Sequence, residues 1–464
     1  MKLFQKNPSF YKGVFALALP IALQSLITIG VNMLDTIMVG SLGETALSAT
    51  SLANSFISIY QIFCMGLGMG ASVLVSRYWG MKKAAAGDEV KSSEAGHALK
   101  QTVCLMLRIT VGLATLFALL TLFMPSLLMK MYTNDSEIIN LGDVYFRWSV
   151  VTYFFLGTSL VSTIVLRSVG QVHLPLYVSI GAFFVNLGAN YAFIFGKFGA
   201  PRMEVAGAAL GTLIARLFEA SIILGYLFFK DKNIQFRVRD LFMKTSSLLG
   251  EYIRISIPVL VSDAILAIGN NSVAMVIGHL GAAYVAANAI TSVTQQLSTV
   301  VIQGVSQAGA IVTGQTLGLG DKRRTMDQGW MFLGLGFALG AISAIFILAI
   351  SKPIISTYNV SEETVNIAGQ LMAAISLVII FRATNSIMTK GVLRGGGDTK
   401  MLMLADNIFL WVLSIPLGCL AGFVFHWPAF WIYVALKADD IVKTLWCIGR
   451  LKSEKWIKKI STGK

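Results

Sequence analysis

The sequence contains little charge for its length. Asp, Glu, Lys and Arg make up 13% of its 464 residues, whereas about a quarter is usual for a soluble protein. Hydrophobic residues make up 55%, and the mean hydropathy is +0.72. A soluble globular protein is therefore excluded, and the composition is that of a polytopic membrane protein.

Cysteine and histidine are also scarce, with four of each. No cysteines form a Cys-x-x-Cys pair, and no two histidines have the spacing of metal ligands. Neither a disulfide framework nor a structural metal site is indicated. An integral membrane enzyme would need a cluster of His, Asp and Glu at one membrane face, and no such cluster is visible. We therefore expect no enzymatic activity and no cofactor.

A nucleotide-binding motif is missing as well. The glycine-rich stretch GVLRGGGDT, residues 391–399, has no Walker lysine in register and follows an apolar helix rather than a strand. We interpret it as a tight turn. Without an ATP-binding domain, any transport must be secondary.

Long apolar stretches fill the chain instead. A stretch of 18 or more apolar residues is long enough to cross a bilayer as a helix. Twelve such spans are predicted, at roughly 13–39, 50–78, 99–124, 139–165, 173–196, 206–230, 253–278, 288–316, 326–350, 364–392, 400–424 and 428–450. The predicted fold class is an all-α polytopic membrane protein with twelve transmembrane helices.

The basic residues predict the orientation. Of 37 Lys and Arg residues, 27 fall in loops and termini on one side of the predicted membrane and four in loops on the other. Since cytoplasmic loops are rich in Lys and Arg, both termini and the loop 230–254 should be cytoplasmic, in a cell inner (plasma) membrane. The net charge of +14 then reflects contact with the lipid bilayer rather than with nucleic acid. We expect a monomer.

The chain contains an internal repeat. Pro20, Gly40 and Gly43 recur as Pro258, Gly278 and Gly281 at one offset of 238 residues. Later, VLRSVGQ at 165–171 pairs with VLRGGGD at 392–398, at an offset of 227. Two pseudo-symmetric six-helix lobes are predicted, related by an axis along the membrane normal. The expected organisation is lobe 1–230, cytoplasmic linker 231–252, and lobe 253–464 with a basic cytoplasmic tail.

Asp35 lies in the first apolar segment, LALPIALQSLITIGVNMLDTIMVGSLG, and the second copy has Val273 in its place. An acid at membrane depth is expensive and indicates a functional site. A low-dielectric environment disfavours its charged form, which suits a carrier of a proton or another cation. The alternative is a carboxylate close enough to the outer interface to reach water.

The motifs together resemble a known family. LALPI…LDTIMVG, the GASVLVSRYWGMKK end of span 2, VAGAALGT opening span 6 and GVLRGGGDT after span 10 are similar to the multidrug and toxic compound extrusion (MATE) transporters. The resemblance runs from about residue 13 to the WIKK at 456–459. It implies export of small organic compounds from a central cavity by alternating access, in exchange for H⁺ or Na⁺.

The resemblance also implies a coupling-ion site. It comprises Asp35, Asn186, Asn190 and Thr212, and holds no metal beyond a possible Na⁺ at Asp35. Asn186 and Asn190 are four residues apart, and so lie on one helix face. Their oxygens suit a small cation or a network that reports protonation. The alternative is ordinary hydrogen bonding between helices. Several relatives carry an acid where this chain has Asn190, a departure that weakens the case for sodium.

Pro20 and Pro258 each lie about two turns into a long helix. Because proline removes a helical hydrogen bond and bends the chain, the two prolines are either hinges or static kinks.

Polar residues in the second half are the candidates for the substrate cavity. They are Asp263, Gln295, Gln303, Arg382 and Asn385. The guanidinium of Arg382 keeps its charge and must therefore face a cavity or a partner. Either it pairs with Asp263 or Asp406, or it binds an anionic group of the substrate. In span 12, Lys437, Asp439, Asp440 and Lys443 have the spacing to pair along one helix face.

The alternative function is that of a flippase. A flippase of lipid-linked precursors from the wider superfamily would have a similar composition. Such flippases typically have fourteen spans and a strongly cationic cavity, whereas this sequence shows twelve spans and Asp35.

Overall fold

A computed structural model describes residues 7–358 and 360–459, and every regular element in these ranges is helical. The α-helices are α1 (Pro8–Gly40), α2 (Glu44–Ala84), α3 (Glu89–Phe123), α4 (Pro125–Lys130), α5 (Ser136–Ser149), α6 (Thr152–Ser168), α7 (His173–Phe195), α8 (Glu204–Gly225), α9 (Ser246–His279), α10 (Ala282–Gly318), α11 (Lys322–Ser356), α12 (Glu362–Ser386), α13 (Thr399–Ile408), α14 (Ile415–Cys419), α15 (Ala429–Leu436) and α16 (Ala438–Lys452). Wider π-helical turns continue α8, α12, α13 and α14 at Tyr226–Lys230, Ile387–Leu393, Phe409–Ser414 and Leu420–Val424.

Ten helices in the described ranges, taken with their π-helical continuations, are long and apolar enough to cross a membrane. The fourth predicted span is instead a bent pair, because α5 and α6 meet at an angle of 59°. Of the two, α5 is the more polar, with an ion pair between Arg147 Nε and Asp143 Oδ2 at 2.9 Å. The twelfth predicted span is broken at Lys437, where α15 ends and the charged first turn of α16 begins.

The backbone confirms the repeat. Gly43 and Gly281 precede α2 and α10 with φ of 116° and 122°, a region that residues with a side chain rarely adopt. Gly170 and Gly397, at the other offset, have φ of 88° and 87°. The two halves therefore turn in the same way at the positions where the sequence repeats, and GVLRGGGDT contains the predicted tight turn.

The described residues form two compact units. The N-terminal unit comprises residues 23–256, and the C-terminal unit comprises residues 7–22 and 257–459. In the N-terminal unit, Tyr60 donates to the carbonyl of Tyr153 at 2.8 Å within a buried aromatic core. In the C-terminal unit, the ring of Phe10 packs edge-on against Phe332 at 5.1 Å. The first helix thus contributes its beginning to one core and its remainder to the other.

The segment that follows α8 is fixed to the N-terminal unit. Arg108 of α3 donates to the carbonyls of Leu241 and Met243 at 2.5 and 3.1 Å. Lys100 pairs with Asp240 at 3.1 Å. The middle of the predicted linker therefore lies along α3, and its end, from Ser246, is the start of α9.

Candidate ion and substrate sites

Asp35 is half-buried near the end of α1 and is held by α7. The amide nitrogen of Asn190 donates to Asp35 Oδ1 at 2.6 Å and to Asn186 Oδ1 at 3.3 Å. Both asparagines are at least 96% buried, and their spacing of four residues places them on one face of α7. The structure therefore brings three of the four expected coupling residues into one hydrogen-bonded chain.

A polar cavity of about 320 Å³ surrounds Asp35 in the N-terminal unit. Thr212 lines it, as expected, together with residues from α2, α5, α6 and α8. The polar lining residues are Asn32, Thr36, Thr50, Ser51, Asn54, Ser55, Ser58, Gln61, Tyr145, Ser149, Thr152 and Arg216. Hydroxyl and amide groups dominate this list, so the cavity offers many neutral oxygens to a proton, a cation or water.

None of these twelve lining residues was predicted from the sequence, and three of them make defined interactions between side chains. Tyr145 donates to Asn54 Oδ1 at 3.2 Å. Arg216 acts electrostatically on Asp35 and pairs with Glu219 at 2.7 Å. The argument that singled out Arg382, a charge inside an apolar span, applies equally to Arg216 and would have found it. Tyr145 and Asn54 carry no comparable signal, because hydroxyls and amides are common in membrane helices.

The close approach of α8 to α7 shapes the site. Gly211 faces Asn190, and a β-carbon at this position would overlap Asn190 Oδ1. That oxygen is buried and has no hydrogen-bond partner among the described residues. Gly211 thus leaves the room that the Asn190 amide needs to bond Asp35.

Two ion pairs of the C-terminal unit decide how its acids are neutralised. Asp263 pairs with Arg394 at 3.3 Å, and Asp406 pairs with Lys443 at 3.3 Å. The interpretation that Arg382 pairs with Asp263 or Asp406 was therefore wrong, because other cations occupy both carboxylates. Arg382 is half-buried and makes no hydrogen bond or close ion pair with any residue in the described ranges.

The other expected substrate residues have different hydrogen-bond partners. Asn385 is buried and donates to Asp440 at 2.9 Å. Gln295 donates to the hydroxyl of Tyr433 at 3.1 Å. Gln303 is exposed. Contacts between described residues therefore do not assemble these side chains into one cluster with Arg382.

Three of the four charged residues of span 12, Asp439, Asp440 and Lys443, are buried, and Lys443 is the centre of an ion-pair network. Lys443 pairs with Asp439 at 3.0 Å along one helix face, as the spacing predicted. The structure adds a partner from α13, Asp406, and a hydroxyl, Ser414, that donates to Asp439 at 2.8 Å. Lys437 instead donates to Asn270 at 3.2 Å.

The MatE family model matches residues 20–192 and 258–420. The chain belongs to the MatE family. The two matched segments begin at Pro20 and Pro258, so each half of the repeat matches the MatE model separately. Both prolines lie inside continuous helices, α1 and α9.

Relatives with full-length similarity agree with this assignment. This MatE protein is 26% identical over 463 residues to a probable multidrug resistance protein NorM of Thermotoga maritima, covering 98% of this chain and 95% of the relative. It is 22% identical over 456 residues to the uncharacterized transporter YisQ of Bacillus subtilis, covering 96% and 95%.

Solved structures show the same fold. A mutant of the Vibrio cholerae MATE transporter VcmN aligns with a TM-score of 0.84 and 17% identity, over 97% of this chain and 98% of that chain. A transporter of the MOP superfamily from Pyrococcus furiosus aligns with a TM-score of 0.81 and 19% identity, over 96% of each chain. The all-α fold with twelve spans in two lobes is thereby confirmed, and the protein is a multi-pass membrane protein.

Proposed function

We propose that this protein is a secondary active antiporter that exports small organic compounds in exchange for H⁺ or Na⁺ by alternating access. The observation that carries the proposal is the contact at 2.6 Å between the buried Asn190 and Asp35, which lines a polar cavity of a membrane-spanning unit. The names of relatives as multidrug resistance proteins support export, and do not favour the flippase alternative.

The donor arrangement bears on the coupling ion. In this structure the Asn190 amide presents N–H to Asp35, which stabilises the ionised carboxylate but offers no oxygen to a metal ion. Sodium would require the amide to turn so that its unpartnered Oδ1 joined Asp35, Asn186 and Thr212 as ligands. A proton can add to the other oxygen, Asp35 Oδ2, which accepts no hydrogen bond from Asn190. The arrangement therefore suits H⁺ directly and Na⁺ only after rearrangement.

Other parts of the proposal rest on the sequence together with the family. Both termini and the loop 230–254 are cytoplasmic, the membrane is the cell inner membrane, and the protein acts as a monomer. The sequence repeat divides the lobes at the 231–252 linker, and residues 7–22 of α1 belong to the C-terminal compact unit. Pro20 and Pro258 serve as hinges, and Arg382 contacts the substrate.

The test is transport by purified protein in vesicles with the pH and sodium gradients imposed separately. Ethidium serves as the cationic probe. If Asp35 carries the coupling ion, Asp35→Asn should abolish gradient-driven export, because the amide has nearly the same shape but cannot titrate. Thermal unfolding of the same variant, expected to be near the wild-type value, controls for folding. Wild-type export rates in Asp35→Asn would remove Asp35 from the mechanism.

A further inference from the structure

The densest group of charges outside the Asp35 cavity surrounds Lys443. Its ammonium lies 3.3 Å from Asp406 Oδ1 and 3.0 Å from Asp439 Oδ2. Ser262 donates to Asp406 Oδ2 at 3.0 Å, and Ser414 donates to Asp439 Oδ1 at 2.8 Å. Each of these two buried carboxylates therefore has both a cation and a hydroxyl group.

Asp440 is buried beside this group but is neutralised differently. Its carboxylate accepts one hydrogen bond, from Asn385 Nδ2 at 2.9 Å, and no cation of the described chain lies within 4.0 Å. The positive charges that act on it from a greater distance are Arg382 of α12, Lys437 and Lys443. Arg382 and Lys437 are both half-buried, and neither makes an ion pair with Asp440.

Asn385 supplies an independent indication that something else binds here. Its side chain is 94% buried, and its Oδ1 has no partner among the described residues, although buried amide oxygens are normally bonded. A half-turn of the amide would present this oxygen to a protonated Asp440 carboxyl group. The pair can therefore serve both charge states, with N–H facing the carboxylate and oxygen facing the acid.

The distances of the cations single out Asp440. Three acids, Asp406, Asp439 and Asp440, lie among three cations, Lys443, Arg382 and Lys437. The further charges nearby are the closed Asp263–Arg394 pair and Lys390, which is exposed. A proton on Asp440 neutralises the one of these three carboxylates that has no cation of the described chain within 4.0 Å. Sodium would need several oxygen ligands and would be repelled by the three cations of the group.

We propose that Asp440 is a second proton-binding site of this protein, separate from Asp35, and that Asn385 is its positioning residue. The proton adds to one carboxylate oxygen and leaves by the same bond, so no other reactant is needed. Transport of this proton rests on the proposed antiport function, whereas its binding to Asp440 does not depend on that function.

The test is pH-difference infrared spectroscopy of the full-length protein in lipid nanodiscs, with protons as the only ligand. The wild type should show titrating carbonyl bands of protonated carboxylic acids. Asp440→Asn should remove one band that Asp35→Asn retains, and the double variant should lose both. A spectrum of Asp440→Asn that keeps every wild-type band would overturn the proposal. The Asp35 band tests the proposed function independently, so the two failures are distinguishable.

A second variant guards against misfolding of the first. Asn385→Leu keeps Asp440 and removes its hydrogen-bond partner. The Asp440 band should then change frequency while the Asp35 band stays in place. An unshifted pair of bands in folded Asn385→Leu would also refute the role of Asn385.

Discussion

Gly211→Ala tests whether the bond between Asn190 and Asp35 matters for coupling. A β-carbon at Gly211 would overlap Asn190 Oδ1, while lying 3.0 Å from Asn190 Cγ and 3.1 Å from the Asn190 backbone nitrogen. The main clash is thus with the free end of a side chain. We expect the amide to rotate away, and α7 to shift by only a few tenths of an ångström.

The size of the effect follows from what the rotation breaks. A hydrogen bond to a charged group contributes about 1.5–3 kcal/mol, equivalent to about a ten- to hundredfold change in an equilibrium. Replacing Gly by Ala also stabilises the helix by up to about 1 kcal/mol, because alanine has the higher helix propensity. The free energy of unfolding should therefore fall by only about 0.5–2 kcal/mol, whereas gradient-driven export should fall at least tenfold.

Gly225→Ala is the matched control. It makes the same substitution in the same helix, where a β-carbon would meet nothing within 4 Å. Export of ethidium from vesicles and thermal unfolding should be measured for both variants. If Gly211→Ala exports ethidium as fast as Gly225→Ala does under the same gradient, the Asn190–Asp35 contact has no part in coupling and the reasoning fails.

Three further predictions follow from the charges and the exposed loop. Lys443→Ala leaves two buried carboxylates without a cation and should lower the free energy of unfolding by about 3–5 kcal/mol, against less than about 1 kcal/mol for the half-exposed Lys437→Ala. Equal losses in thermal unfolding would contradict the buried network. Arg382→Gln should weaken binding of an anionic ligand much more than binding of ethidium, and equal effects on the two would make Arg382 structural. Phe242→Cys, at a side chain that is 85% exposed, should react with impermeant maleimide only from the cytoplasmic face, and labelling from outside would invert the topology of the 230–254 loop.

The part of the site that could be predicted depends on residue spacing along a single helix. Asn186 and Asn190 share a helix face because four residues make about one turn, and the structure joins them to Asp35. The repeat was equally accessible, because glycines such as Gly43 and Gly281 mark turns that need positive φ. In both cases the feature, a shared helix face or a turn with positive φ, is determined by a few consecutive residues.

Partners on other helices could not be predicted in the same way. A span that is apolar all round does not show which face meets its neighbours, so the sequence did not place Arg216 beside Asp35. The same limit explains the error over Arg382. Asp263 pairs with Arg394, a buried residue within the glycine-rich stretch 391–399, and Asp406 pairs with Lys443, 37 residues away.

The number of protons bound decides which driving forces can act on export. A proton moving inward yields about 2.3 kcal/mol per 100 mV and about 1.4 kcal/mol per pH unit. If Asp35 alone carries a proton, exchange for a monovalent cation moves no net charge, so only the pH gradient drives export. If Asp440 carries a second proton, one net charge moves inward and the pH term doubles to about 2.8 kcal/mol per unit. An anionic compound that used Arg382 would gain a voltage term even with one proton. The voltage dependence of export therefore separates a one-proton cation exchanger from the other two arrangements, and the charge of the exported compound separates those two from each other.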